Sequence, residues 1–422
     1  MPRSGEGKFK LIKAARLIDG KGGPPQERGA ILLEDDRIRA VGTEESVVPP
    51  EGALVDELNY EDKTVLPGLI DCHTHLIGIG DGRAGDELTL LPDEVLTLQA
   101  ARNARAHLYS GVTTLRDCGA KNQTTLMLQR AMEMGITSGS RLVLSGRPIA
   151  IVGGHLSYFG VQATGVDECR AAVRQLVKEG VDYIKITATG GSTRTSFRLR
   201  PSFNVEELTA ICEEAHKFGK HAAAHCASAQ GMVNALDAGI DTIIHGFFDE
   251  PDGEHKFRPE IVERIVGQGV LVNPTLNGAR ARIRTLENKR ESQGLTDQEQ
   301  ADLDQMRGDS EYRFDCFARM RDMGVTMVCG SDSAWGNYVM GGFQYEIDAH
   351  VTGGMSAMEA IVSATGDSAK SCWIDDSVGT LETGKLADVL VVDGDPSQDI
   401  GALFNVVDVF QNGQRVDRGN YV

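Results

Sequence analysis

The chain has 422 residues, of which 41% are hydrophobic and 25% are charged, a composition typical of a folded globular protein rather than a disordered one. Its 61 acidic and 43 basic residues give a net charge of −18, the opposite of the basic character that phosphate backbones or anionic lipid surfaces attract. We therefore expect a protein that binds neither nucleic acid nor membranes.

The cysteines and the start of the chain indicate the compartment. The eight cysteines include no Cys-x-x-Cys pair, and a chain of this length does not need disulfides to fold. Residues 1–10 are polar and lead into no apolar signal core, and no apolar stretch approaches the about 18 residues of a membrane span. We expect a cytoplasmic protein with reduced cysteines.

Short β-like runs open the chain, at residues 9–11, 29–33, 37–41 and 54–57, and Gly and Pro pairs separate them. The middle of the chain has a different pattern, in which strand-like apolar runs alternate with helix-length segments such as 168–179 and 205–218. The runs are residues 69–75, 112–115, 141–144, 183–187, 221–225, 242–245, 270–273 and 326–329. Repeated strand-then-helix order predicts parallel strands, and eight of them predict a (β/α)8 TIM barrel over residues 66–379.

Residues 279–312 are the most charge-rich stretch of the chain. This composition favours a solvated helix, and it also fits a mobile cover over a site. Further β-like runs follow at residues 387–393 and 406–411, before the hairpin dipeptide Asn412-Gly413. Because neither end of the chain buries much surface alone, we expect residues 1–65 and 380–422 to form one small β-sandwich domain.

The first candidate site is the pair His73 and His75 at the end of a predicted strand. Residues two apart on a strand face the same side, so both imidazoles can point at one metal ion. A pair of hydrogen-bonded polar residues would give the same pattern. Four further candidates, Lys185, His225, His245 and Asp332, end later strands. In a barrel these strand ends share the face where active sites are built.

The sequence around Lys185 and around His225 bears on the role of each residue. Lys185 lies between two isoleucines, and burying its ammonium group costs several kcal/mol unless the charge is neutralised or paired. His221 and His225 have the spacing of a zinc-protease helix, but position 222 is Ala where that motif has its glutamate. We therefore interpret this segment as a strand, with His225 in the site and His221 structural.

The set of these motifs, in this order along the chain, resembles the amidohydrolase superfamily. The set consists of the segment from Leu66 to His75, then Lys185, His225, His245 and the Gly330-Ser331-Asp332 turn. Gly153-Gly154-His155 and the glycines that follow Lys185 are most similar to the imidazolonepropionase-like branch with Xaa-Pro dipeptidases, Xaa-Arg carboxypeptidases and ochratoxin amidases. The resemblance extends over nearly the whole chain, including the small β-domain.

This resemblance implies a binuclear metal site, with two zinc ions and a CO2-derived carbamate. His73, His75 and Asp332 would hold one ion, His225 and His245 the other, and a carboxylated Lys185 would bridge both. The ions would activate water, and Asp332 would pass its proton to the leaving nitrogen. The implied reaction is hydrolysis of an amide-like C–N bond in a small-molecule substrate, and we expect a homo-oligomer.

We expect His155, Tyr158, Arg194 and Arg198 to contact the substrate. The arginines favour a dipeptide or an N-acyl amino acid, since a guanidinium group can bind a carboxylate through two hydrogen bonds, although they are also consistent with simple surface charge. Aromatic residues near the site favour apolar carbamates or ureas instead; these residues are Phe159, Phe247, Phe248, Trp335 and Tyr338.

The chain also departs from the branch, because Cys226 follows His225 where relatives have His-x-His-Gly. A ring deaminase of the same superfamily is a weaker alternative, since residues 226–231 lack the acid that those enzymes carry there. A barrel without chemistry is weaker still, because no ligand position is missing.

Overall fold

The computed structural model describes residues 9–419; residues 1–8, which include most of the polar start, and residues 420–422 lie outside the described part. Strands β1 to β5 are Phe9–Leu17, Gln26–Glu34, Arg37–Thr43, Val55–Asn59 and Thr64–Pro67. Strands β6 to β14 are Leu69–Thr74, Val112–Asp117, Arg141–Leu144, Ile149–Ala150, Val161–Gln162, Tyr183–Thr187, His221–Cys226, Thr242–His245 and Leu271–Asn273. Strands β15 to β17 are Val389–Val392, Val406–Gln411 and Gln414–Arg415.

The helices α1 to α6 are Gly85–Leu88, Asp93–Tyr109, Thr124–Glu133, Gly165–Glu179, Val205–Lys217 and Ala229–Asp237. The helices α7 to α12 are Pro259–Gln268, Asn277–Gln293, Asp297–Asp322, Gln344–Thr352, Ala357–Ser363 and Gly366–Ser371, and Ile400–Phe404 is a 3-10 turn. Among the described residues, no helix combines the length and the apolar character that crossing a membrane requires.

Local sequence explains where several helices begin and end. Asn204 and Thr296 cap α5 and α9 in capping boxes, in which the cap side chain accepts from the backbone of a glutamate three residues later and that glutamate accepts in return. Gly180 and Gly269 end α4 and α7 with φ angles of 97° and 68°, a conformation that glycine adopts without strain.

Both ends of the chain form one sheet of eight strands. Its order is β17-β16-β15-β5-β1-β2-β3, with β4 also beside β1. The antiparallel pair β15 and β5 joins the C-terminal strands to the N-terminal ones, and Ile12, Ile31, Val65, Val389 and Phe410 belong to one buried cluster between them. Both termini thus contribute strands to one sheet, as expected, and only Gly68 separates its strand β5 from β6.

The middle of the chain forms a parallel barrel, as predicted. Strands β6, β7 and β8 pair in one parallel sheet, and β11, β12, β13 and β14 pair in a second. A hydrogen bond of 2.7 Å from Asp182 N to Leu144 O connects the two sheets on one side. Every residue of β6, β7, β11, β12 and β13 is buried, which is typical of parallel strands covered by helices.

One predicted strand is less regular than expected. Residues 326–329 form a single β-bridge rather than a strand, although they occupy the eighth position of the barrel. Val328 N donates to Val272 O at 2.9 Å, and Cys72 N donates to Cys329 O at 3.1 Å, so this segment closes the ring between β14 and β6. The prediction of eight positions is correct, and that of eight regular strands is wrong.

Buried side chains fill the interior of the barrel beneath the polar groups at the carboxyl ends of its strands. Alternate residues of the strands form a buried interior cluster that includes Cys72, Cys118, Tyr183, Ala223 and Ile244.

All eight cysteines are buried and none forms a disulfide, in agreement with the sequence prediction. The charge-rich residues 279–312 lie in α8 and α9, so the helical interpretation is confirmed.

Candidate metal centre

Six polar side chains meet at the carboxyl ends of the barrel strands. Asp332 Oδ1 lies 3.3 Å from Nε2 of both His73 and His75, and the potential ligand atoms of these three residues all lie within 4.8 Å of one another. The His245 ring is 5.4 Å from the His73 ring and 4.6 Å from the His225 ring, centroid to centroid. The residues that line this one cavity include the full set of His73, His75, Lys185, His225, His245 and Asp332.

The strands position these groups in two different ways. Lys185 and His225 follow simple alternation, because Tyr183 and Ala223, two residues earlier, also point into the barrel. His245 directly follows the inward Ile244, so alternation would place it outside. Its φ of 69° interrupts the alternation, and its ring reaches the site.

Asp332 has a φ of 57°, also in the left-handed region. Such angles are uncommon for residues other than glycine, and they are found repeatedly at functional sites. The backbone geometry at His245 and Asp332 is thus a feature of the site that strand alternation alone would not predict.

A hydrogen bond to another group of the protein fixes the ring of each of the four histidines. Nδ1 of His73 lies 2.9 Å from Asn273 Oδ1, Nδ1 of His245 lies 2.7 Å from Thr275 Oγ1, and Nδ1 of His75 lies 3.5 Å from a backbone carbonyl. In His225 it is Nε2 that lies 2.9 Å from the Gly190 carbonyl. Metal-binding histidines in proteins are held in this way, with one nitrogen bonded to the protein and the other turned to the metal.

The electrostatic setting keeps the imidazoles of His73, His225 and His245 neutral. Burial is the largest effect on His73, His225 and His245, and it lowers the pKa of each well below its usual value. The nearby charge of Lys185 lowers all three pKa values further. Because neutral imidazole is the form that binds a metal, these residues are ready to act as ligands at neutral pH.

Lys185 is buried, and burial lowers the pKa of its amine. Within residues 9–419, no carboxylate lies within ion-pair distance of its Nζ. The unpaired lysine therefore has the unfavourable burial that the sequence predicted. A set of imidazoles and a carboxylate with this spacing suits a divalent metal such as zinc, so the residues present fit a metal centre.

The site opens into a cavity of about 460 Å³, a size that suits a small molecule. His155 and Tyr158 line it, as do Arg194 and Arg198. The ring of His155 lies 4.6 Å from that of His225, and its Nδ1 is 3.1 Å from Thr193 Oγ1. Burial, with a contribution from the charge of Lys185, lowers the pKa of His155 to about 3.

The two predicted arginines lie at the rim rather than in the depth of the cavity. Arg194 is 76% exposed and is paired with Asp86 at 3.2 Å, and Arg198 is exposed. Of the aromatic residues that the sequence singled out, Phe247 and Trp335 line the cavity. The other three are packed in the protein interior; they are Phe159, Phe248 and Tyr338.

Sequence analysis missed several residues that support the site. Asp71 accepts hydrogen bonds from Ser331 N at 2.9 Å and from Nε2 of His107 at 3.0 Å, and thereby ties β6 to the turn that carries Asp332. An acid two residues before His73 was a visible signal for this role. Asn273 and Arg313, which are distant in sequence from every motif, gave no such signal.

A parallel barrel with imidazoles, a buried lysine and a carboxylate at its strand ends defines the class of barrel enzymes whose active sites are suited to metal ions. The chain belongs to the amidohydrolase family: the model of that family matches residues 64–416. It is accordingly a hydrolase that acts on carbon–nitrogen bonds, as the sequence predicted.

Two known proteins are similar over nearly the whole chain, and a third is similar over about a third of it. Ochratoxinase of Aspergillus niger is 27% identical, and the match covers 94% of this chain and 83% of that protein. A crystal structure of a Xaa-Pro dipeptidase with methionine bound in its active site is 29% identical, with a TM-score of 0.83 over 97% of this chain and 100% of that one. An imidazolonepropionase of Mesorhizobium japonicum is 30% identical over 32% of this chain and 34% of its own.

Proposed function

We propose that the protein is a binuclear metal-dependent hydrolase that cleaves the amide bond of a dipeptide or an N-acyl amino acid. The observation that carries this proposal is the convergence of four imidazoles, Lys185 and Asp332 on one cavity. Similarity to a Xaa-Pro dipeptidase and to an ochratoxinase supports the substrate class.

The six side chains divide between two metal positions. His73, His75 and Asp332 would hold one ion, because their ligand atoms already lie together. His225 and His245, whose ring centroids lie 4.6 Å apart, would hold the other. A pair of divalent ions, which we propose to be zinc, would lower the pKa of a water molecule to about 7 and so supply the nucleophile.

Lys185 would connect the two positions as a carbamate. Burial lowers the pKa of its amine, which favours the neutral form with a free electron pair. This nitrogen can attack CO2, so that an N–C bond forms, one proton leaves to solvent and an anionic group with two oxygens results. The modification would replace an unpaired buried cation with an anion that can contact both metals.

The remaining steps belong to residues of the chain itself. Asp332, which lies against both His73 and His75, would accept the proton of the attacking water and transfer it to the leaving nitrogen. His155 is neutral at physiological pH because its pKa is lowered to about 3, so it would donate a hydrogen bond to the substrate without carrying charge. Tyr158 would close the same wall of the cavity.

A second candidate function is the hydrolysis of apolar carbamates or ureas. The Trp335 ring lies 5.2 Å from that of His75, and the Phe247 ring lies 5.4 Å from that of His245. Two aromatic faces beside the metal centre would suit a neutral, ring-bearing substrate.

A substrate panel on the zinc-loaded protein tests the proposal. It compares Xaa-Pro dipeptides and N-acyl amino acids with neutral aryl carbamates and ureas, and elemental analysis of the same sample gives the metal content. We expect about two zinc ions per chain and the highest kcat/KM for a substrate with a free carboxylate. A preference for neutral carbamates would favour the second candidate, and one metal per chain would contradict the binuclear site.

A further inference from the structure

We propose that Arg313 binds the carboxylate of the substrate and thereby determines that the enzyme acts on anionic substrates. This inference rests on the proposed function, because it names the group that such a substrate must offer. Arg313 belongs to helix α9 and lies outside every motif that predicted the metal centre. It lines the same cavity as the metal centre.

Arg313 stacks on an aromatic ring beside the metal centre. The central carbon of its guanidinium group lies 3.9 Å from the centroid of the Phe247 ring, and that ring in turn lies 5.4 Å from the ring of His245. Stacking leaves the N–H groups in the plane of the guanidinium, where they can form two parallel hydrogen bonds with a carboxylate. An anion bound there would lie in the cavity that His245 also lines.

Arg313 differs from the other three arginines that line the cavity. Arg83 and Arg194 are each paired with an aspartate at the rim, and Arg198 is exposed to water. Arg313 is only partly exposed, and in the part of the chain that the structure describes its guanidinium group forms neither an ion pair nor a hydrogen bond. Among these four arginines, Arg313 therefore combines partial burial with a charge that is free to pair with a bound anion.

The acids near Arg313 are already occupied. Asp249 and Asp309 lie close enough to influence Arg313, but both are bound by His255, at 2.7 Å and 3.2 Å. Burial lowers the pKa of Arg313 to about 10, so the group stays charged at neutral pH while it lacks a close counter-ion. A bound anion would stabilise this partly buried, unpaired cation more than it would stabilise a cation that is fully exposed to water.

The position of Arg313 also orients the substrate. In an N-acyl amino acid or a dipeptide, one carbon atom separates the carboxylate from the nitrogen of the amide bond. A carboxylate bound at Arg313 would therefore hold this nitrogen within the cavity that the metal-centre residues line. A neutral carbamate has no carboxylate to pair with the charge of Arg313 through two parallel hydrogen bonds.

The test compares the zinc-loaded protein with Arg313→Gln and with a matched control, Arg319→Gln. Arg319 lies on the same helix and stacks on Phe257 at 3.7 Å, but it does not line the cavity. The probes are N-acetyl-L-methionine and its carboxamide, which differ in the charge at issue. Calorimetry measures the binding of each probe, and kcat/KM is measured wherever a probe is hydrolysed.

We expect Arg313→Gln to weaken binding of the acid, and to lower its kcat/KM, by about 10- to 100-fold, the range for a hydrogen bond to a charged group. The carboxamide should be unaffected, and Arg319→Gln should behave as wild type with both probes. Arg313→Lys should retain part of the preference for the acid, because it keeps the charge but loses the forked geometry. It also supplies the test if Arg313→Gln does not fold.

The results separate this inference from the proposed function. If the wild type binds the acid no better than the carboxamide, or if Arg313→Gln affects both probes equally, the assignment of Arg313 is wrong. If the wild type binds the acid through Arg313 and yet hydrolyses no amide of the panel, the proposed function fails and the assignment of Arg313 stands.

Discussion

The side-chain oxygen of Asn273 lies 2.9 Å from Nδ1 of His73, and this contact fixes the tautomer of the histidine. The amide nitrogen of Asn273 donates to the carbonyls of Val328 and Gly330, at 3.3 Å and 3.0 Å, so its oxygen must be the atom that faces His73. The proton of His73 is then on Nδ1, and Nε2 offers its electron pair toward Asp332 and the metal position.

We predict that Asn273→Ala lowers zinc affinity about 10- to 100-fold, the range for loss of a group that orients a metal ligand. Competition with a chromogenic chelator measures the affinity. Asn234→Ala, a partly exposed position on α6 outside the cavity, serves as the control and should bind zinc as the wild type does. Equal affinities for the two variants would show that Asn273 does not orient His73.

Lys185→Ala should lose both zinc and activity, because it removes the proposed anionic bridge. Added acetate or propionate should restore part of the activity, since each supplies two oxygens of similar geometry. Lys185→Arg should not recover, because guanidinium remains a cation and has no electron pair for a metal. A Lys185→Ala protein with two metals and the wild-type rate would rule out the carbamate.

Gly191→Ala should displace His155. A β-carbon at position 191 would lie 2.5 Å from Nε2 of that ring, so the ring would have to move. We expect kcat/KM to fall about 10- to 100-fold while the zinc content persists. Gly278→Ala is the control, because Gly278 lines the same cavity and a β-carbon there meets no atom within 4 Å.

A second comparison makes this test specific to His155. If the loss arises through His155, the double variant Gly191→Ala/His155→Ala should be no slower than His155→Ala alone. Additive losses would mean that Gly191 acts elsewhere in the cavity.

Glu214 gives a prediction about stability and pH. Its hydrogen bonds to Arg174 and Arg170 lower the pKa of its carboxyl group to about 2, from an ordinary value of 4.5. Above the ordinary value the carboxylate is charged in both the folded and the unfolded state, so its full contribution to stability is present. As the pH falls from about 4.5 toward 2 the unfolded state gains the proton first, and the contribution is lost.

Glu214→Gln should therefore lower the free energy of unfolding by about 1 kcal/mol at pH 7, and the difference from wild type should shrink below pH 4.5. Urea unfolding at several pH values measures both quantities. Glu213→Gln, which changes an exposed neighbour, should have an effect below about 0.5 kcal/mol. A difference that stays constant across this pH range would contradict the role of the charge.

The sequence predicted the barrel, the sheet built from both termini and the six residues at the centre of the site, because each of these depends on local signals. Apolar strands, turn residues and polar groups at strand ends can be recognised without knowledge of the fold. The regular eighth strand was overpredicted, since the apolar run 326–329 makes few ladder bonds before the turn to Asp332.

The parts that were missed depend on distant contacts. Asn273 meets His73 across the closure of the barrel, and Arg313 reaches the cavity from a long, charge-rich helix. Neither residue has a neighbour in the sequence that would distinguish it from other Asn or Arg residues. The left-handed backbone conformation at His245 could not be predicted either, because a histidine rarely adopts this conformation and nothing nearby in the sequence indicates it.

The single residue between β5 and β6 has a consequence for how the protein is made. The ribosome completes the strand that leads to His73 long before it makes β15, the strand that covers the edge of β5. Until that happens the nascent chain exposes an unpaired strand edge next to the first ligands, a form prone to aggregation. A premature stop between residues 332 and 389 would spare all six residues of the candidate metal centre and would still leave this edge open.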